Sequence, residues 1–151
     1  IFFCHGYNIN GVMLQLSDDL KSVSVVWRTD VLDTHHGGYV EVNGTIYGSN
    51  WINNNQGNWC AIDWNTGAKG YETTWTGGKG KGSIIAADGM LYCYDERRGA
   101  VALVNPDPAK FDIVSEFRIT KGVGPHWAHP VIVNGVLYIR HGFALMAYKV
   151  K

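Results

Sequence analysis

Tyr39-Val40-Glu41-Val42-Asn43-Gly44-Thr45-Ile46-Tyr47 sets an Asn-Gly pair between two short apolar runs. A type I′ turn needs two successive residues at positive φ, and Asn-Gly meets that need at low cost, so the stretch reads as a tight β-hairpin. The same design recurs in Ile84-Ile85-Ala86-Ala87-Asp88-Gly89-Met90-Leu91-Tyr92 and in Pro130-Val131-Ile132-Val133-Asn134-Gly135-Val136-Leu137-Tyr138. Gly44, Gly89 and Gly135 are 45 and 46 residues apart, and each is followed at the same distance by a tyrosine: Tyr47, Tyr92 and Tyr138. Phe3 lies 44 residues before Tyr47, which places a truncated copy ahead of the other three.

Working outward from the hairpins, a third strand reads Val12–Leu16, Trp59–Asp63, Ala100–Val104 and Ala144–Tyr148 in successive copies. A fourth ends on a large aromatic in three of them, Trp27, Trp75 and Phe117. No segment carries a convincing helical period. Four short antiparallel strands in about 45 residues is the unit of a β-propeller blade, so the predicted fold is all-β. The copies occupy approximately residues 1–30, 37–77, 82–119 and 128–151, which amounts to about three and a third blades in a single partial domain. Propellers close with about four to eight blades. The stretch is therefore expected to be the C-terminal portion of a larger ring of about seven or eight. Cut loose, such a segment is expected to expose sheet edges and a blade face and to self-associate.

Composition supports this reading and removes other classes. The 151 residues include 19 glycines, 46% apolar and 13% aromatic residues, a pattern of short strands and tight turns rather than of a disordered or collagenous chain. Thirteen basic residues balance thirteen acidic ones, so no electrostatic footprint for nucleic acid exists. The most apolar stretch, Val136–Val150, is interrupted by Arg140 and His141 and falls short of the roughly 20 residues of a membrane span. The sequence opens at Ile1 inside an apolar run, so a leader or further chain is expected before it. Cys4, Cys60 and Cys93 are widely spaced in strand-like runs and read as small core hydrophobes, neither a disulfide framework nor a zinc ribbon.

Ala61-Ile62-Asp63-Trp64-Asn65-Thr66-Gly67 matches the A-x-D-x-x-T-G signature of the PQQ-like, or quinoprotein-like, propeller repeats. The chain resembles that family over nearly its whole length, most closely the repeat proteins of bacterial envelopes that are often labelled polyvinyl-alcohol-dehydrogenase-like. Where the family carries a tryptophan four residues after the glycine, this sequence has Tyr71, and the third copy replaces the aspartate by Val104. In physical terms Asp63 and Thr66 can bond within the turn while Gly67 supplies positive φ, and Tyr71 or Trp75 can fill the wedge between blades. The motif speaks for architecture rather than chemistry.

Chemistry is sought in the connections that leave a blade's fourth strand for the next blade's first. They read Asp33-Thr34-His35-His36-Gly37-Gly38, Gly77-Gly78-Lys79-Gly80-Lys81-Gly82 and Gly124-Pro125-His126-Trp127-Ala128-His129-Pro130. Repetition brings the three to one axial opening, so His35, His36, Lys79, Lys81, His126, Trp127 and His129 form the predicted ligand-binding set. Imidazoles from different blades suit a transition metal or acid-base work. Two lysines and glycine-flanked amides argue instead for a small polar or anionic ligand. The plainest alternative is that the histidines bond loop carbonyls and merely order the loops. No catalytic residue and no metal ligand is assigned. Gly78–Ser83 lacks the full phosphate-loop spacing, Tyr94–Gly99 reads as a solvated hairpin tip, and Asn50–Trp59 reads as a solvent loop pinned by tryptophans.

Two functions follow. The first is a non-catalytic binding domain offering an axial face to a ligand or a protein partner, with the remaining blades as its other neighbours; the resemblance implies a periplasmic or secreted location. The alternative is a PQQ-dependent alcohol-dehydrogenase-like oxidoreductase, with PQQ and calcium on the channel axis. The resemblance would then imply an adjacent Cys-Cys pair, which this sequence lacks. No cofactor is assigned under the first reading.

Overall fold

The structure, a computed structural model, describes residues 1–150. Both residues of each inner hairpin turn take positive φ: Asn43 and Gly44 at 52° and 80°, Asp88 and Gly89 at 51° and 73°, Asn134 and Gly135 at 50° and 72°. These turns close β4 (Tyr39–Val42) on β5 (Thr45–Ser49), β8 (Gly82–Ala87) on β9 (Met90–Asp95), and β12 (Val131–Val133) on β13 (Val136–His141). The outer strands follow: β6 (Trp59–Asp63) and β7 (Lys69–Thr73), β10 (Ala100–Asn105) and β11 (Asp112–Arg118), then β14 (Ala144–Lys149). Ahead of them stand β1 (Phe2–Cys4), β2 (Gly11–Leu16) and β3 (Val23–Thr29).

Every sheet is antiparallel and keeps chain order: β1-β2-β3, β4-β5-β6-β7, β8-β9-β10-β11 and β12-β13-β14. Tyr47, Tyr92 and Tyr138 each hold the third place of the second strand, opposite Val40, Ile85 and Val131 in the first. Successive copies therefore share a register as well as a period. No helix occurs among the described residues, and the four sheets form an open arc of β-propeller blades. Trp75, expected to close the second blade's fourth strand, lies two residues beyond β7, where its indole donates to Glu116 Oε2 at 2.9 Å.

Strand alternation explains why the central blades read as continuous apolar runs. Ile46 and Ile62 point toward the first blade, joining Phe2, Met13, Leu32 and Cys60. Tyr47 and Ala61 point the opposite way and meet Trp59, Tyr71, Trp75, Ile84, Leu91 and Cys93. A third seam joins Tyr94, Val101 and Ile119 to Leu137 and Ile139. Each fully buried aromatic or branched side chain in these seams is worth about 2 kcal/mol. The wedge expected of Tyr71 and Trp75 is present, and Phe111 stacks on Trp59 at 5.6 Å beside it. The turn after β6 is built as its sequence implies: Thr66 Oγ1 donates to Asp63 Oδ1 at 2.8 Å and Gly67 takes φ 72°.

Blades two and three also meet through backbone. A Cβ on Gly37 would lie 1.9 Å from Gly82 O, and Ile84 N donates to Gly37 O at 3.3 Å. Ser49 Oγ ties the same point, donating to Gly82 O and accepting from Gly82 N. The two outermost sheet faces are different: Phe3, Val131, Val133 and Leu145 are exposed there.

Candidate functional site

In an antiparallel blade successive connections alternate between the two ends. The Asn-Gly and Asp-Gly turns occupy one end. The blade-to-blade connections therefore share the other with the links between second and third strands: residues 5–10, 50–58 and 96–99. Asp33 fastens three of these loops together, since Asn8 N and Trp51 N both donate to its buried carboxylate at 3.0 Å.

A cleft of about 310 Å³ opens on this face, lined by Tyr7, His35, His36, Asn54, Glu96 and Trp127. At its floor lies a buried ion pair. Lys81, 2% exposed, donates from Nζ to Glu96 Oε1 at 2.7 Å and to the carbonyls of Asn53 and Asn54 at 3.1 Å each. All three ammonium protons are thereby engaged. The second carboxylate oxygen, Oε2, lies 3.0 Å from His36 Nε2. The His35 and His36 rings are 4.7 Å apart, Trp127 packs 5.2 Å from His36, and Tyr7 meets His35 edge-on at 5.0 Å. Burial holds both imidazoles below the usual histidine range; the Glu96 carboxylate opposes this at His36, while the Lys81 ammonium adds to it at His35.

Of the predicted set, His35, His36, Lys81 and Trp127 converge here. His129 reaches the back of the loop, its Nε2 bonding His36 O at 2.8 Å. Lys79 goes elsewhere, to a separate hollow of about 460 Å³ beside Ile52, Gln56 and Thr74, with a strained φ of 143°. His126 is 8% exposed and turned inward. Its Nδ1 bonds the Tyr94 hydroxyl and its ring stacks on His141 at 3.7 Å. Burial first, and His141 second, pull its pKa down to about 4. Lys81 and Lys79 thus supply no pair of free cations for an anion, because one is neutralised by Glu96 and the other faces a separate hollow.

The segment Tyr94–Gly99 corrects the reading from sequence. Arg97 and Arg98 are exposed, but Tyr94 and Asp95 are 0% exposed and Glu96 7%. The link from second to third strand lies on the loop face, where Lys81 can meet Glu96 and the amides of Arg97 and Arg98 can donate to Asp95. Tyr7, Asn54 and Glu96 escaped sequence reasoning for the same reason. Counting strands would have found them, since alternate connections must share an end with the histidine loops. The Asn50–Trp59 loop is held as its flanking tryptophans imply: Trp59 is buried, and Asn50 Nδ2 bridges Val31 O and Glu72 Oε1.

The cysteines offer no ready nucleophile. Cys60 and Cys93 are fully buried, and burial pushes all three thiols up, Cys4 to about 11.

No family model matches this sequence, and no curated protein matches it. Among solved structures, the crystal structure of BamB from Moraxella catarrhalis superposes with a TM-score of 0.62 at 13% identity, covering 97% of this chain and 48% of that one. The chain thus spans about half the length of the structure it resembles. At that identity the likeness establishes architecture alone, and the architecture is that of a β-propeller.

Proposed function

We propose that this chain is part of a non-catalytic PQQ-like propeller of the bacterial envelope, in a ring of about seven or eight blades, which binds a ligand or protein partner through its loop face. The observation carrying the reading is the composition of that face. Tyr7 and Trp127 are 52% and 56% exposed around a cleft whose floor is held rigid by the Lys81–Glu96 pair. Exposed aromatics on a fixed polar base are the ingredients of a binding hot spot. The opposite end carries the two-residue turns, with Asn43, Asp88 and Asn134 at their tips, and the links from third to fourth strand, residues 17–22, 64–68 and 106–111.

Photo-crosslinking in intact cells tests this. A benzophenone amino acid at Trp127 or Tyr7 is expected to give a discrete adduct in the envelope fraction, and the same group at Asp88 none. Equal labelling from both ends, or none from Trp127 and Tyr7, would reject the loop face as the binding surface.

A further inference from the structure

Several buried polar atoms on the loop face lack a hydrogen-bond partner, Trp51 Nε1 and Asp95 Oδ1 among them, and two of them sit on adjacent histidines. His35 Nδ1 and His36 Nε2 are buried atoms with no hydrogen-bond partner among the described residues. His36 Nε2 sits close to Glu96 Oε2 without pointing along a hydrogen bond to it. A buried imidazole nitrogen that forgoes a partner costs about 1–3 kcal/mol, and two side by side call for a reason.

The neighbours of these atoms supply one. Tyr7 OH lies 2.9 Å from His35 Nε2. With Nε2 donating to that oxygen, Nδ1 keeps a free lone pair beside the cleft. Lys81 claims Glu96 Oε1, which fixes the carboxylate and leaves Oε2 as the free acceptor. His35, His36 and Glu96 each offer one ligand atom, and these atoms lie within 4.8 Å of one another. Zinc held at about 2.0–2.1 Å from each ligand separates them by about 3.3 Å, so a small side-chain rotation closes the set.

We propose that His35 Nδ1, His36 Nε2 and Glu96 Oε2 bind a divalent transition cation of the zinc class, leaving its fourth position open to the cleft between Tyr7, Asn54 and Trp127. Two imidazoles and one carboxylate suit zinc or cobalt better than calcium or magnesium, which take oxygen ligands. Imidazole coordinates in its neutral form, the form that burial favours at both rings. Lys81 offsets part of the carboxylate's charge, so the expected affinity is moderate. Tyr7 is a positioning residue: it acts through His35. The proposal goes beyond the binding-face reading and stands or falls without it, because it needs no partner.

The test is calorimetric titration of the chelator-treated full chain with zinc chloride, with cobalt(II) chloride as the spectroscopic probe. One equivalent is expected to bind with a dissociation constant on the order of 10 µM or tighter. Cobalt is expected to give visible absorption bands of a four-coordinate site. Glu96→Gln, His35→Gln and His36→Gln should each weaken zinc about 100-fold or more, and Tyr7→Phe by about tenfold. His5→Ala should leave affinity unchanged. Circular dichroism and melting of each variant separate a lost ligand from a lost fold. Should Glu96→Gln, which leaves the buried Lys81 ammonium without its counter-charge, fail to fold, the two histidine variants carry the test by themselves. No binding below about 1 mM, or affinity that survives Glu96→Gln and either folded histidine variant, would overturn the proposal.

Discussion

Two pairs of histidines lie on the same end of the blades and are used in opposite ways. His126 and His141 stack at 3.7 Å; one bonds the Tyr94 hydroxyl, and the other bonds Lys121 O through Nδ1 and Gly124 O through Nε2, each at 2.7 Å. All the ring nitrogens of His141 are thus committed to the loop that joins blades three and four. His35 and His36 are only half-buried, and His35 Nδ1 and His36 Nε2 have no such partners. A histidine whose polar atoms are satisfied by the chain is part of the fold, whereas one left unsatisfied beside a carboxylate is available for something from outside.

Removing one ring from each pair should have the largest effect. His141→Ala removes a buried ring and strips the loop of a hydrogen-bond donor, and should cost about 3 kcal/mol in urea unfolding, while His35→Ala should cost less than about 1 kcal/mol. Comparable losses would erase the distinction.

Acid should cost the fold most at the closed pair. The folded pKa of His126 is lowered from the ordinary 6.5 to about 4, so the unfolded chain binds the proton more readily. Its contribution is complete above about pH 6.5 and is lost as pH falls toward about 4, up to about 2 kcal/mol after solvent screening. Melting temperatures across that range, with His126→Gln flattening the curve, provide the measurement.

A smaller contrast lies in the tyrosines that orient each pair. Tyr94→Phe leaves a buried His126 nitrogen unpartnered and should cost about 1–2 kcal/mol, whereas Tyr7→Phe, at an exposed ring, should cost less than about 0.5 kcal/mol. The smallest effect is expected outside both pairs. Lys79, with φ 143°, should gain about 0.5 kcal/mol on replacement by glycine, readable as a shift in the urea midpoint.

The blades were legible from sequence because turn chemistry is local. Asn43-Gly44, Asp88-Gly89 and Asn134-Gly135 declare their own φ signs, and alternation does the rest. The site was legible only in part, because it is built across blades. His35, His36, Lys81 and Trp127 stand in the connections that repetition brings together. Glu96 stands among charged neighbours, in a run indistinguishable by composition from a surface turn. Its burial depends on a lysine 15 positions earlier in the chain, on the preceding blade-to-blade connection. His126 and Lys79 belong to the right loops but point away, since rotamer and backbone strain are decided by packing that no periodicity records.

The contact of Gly37 with Gly82 has a further consequence. Where two main chains touch with no side chain between them, the angle from one petal to the next is set by peptide geometry and not by the bulk of whatever fills the outer wedge. Aromatics such as Tyr71 and Trp75 can therefore be exchanged for other sizes by drift with little change in curvature, whereas a single methyl group at position 37 would prise the arc open from its inner rim.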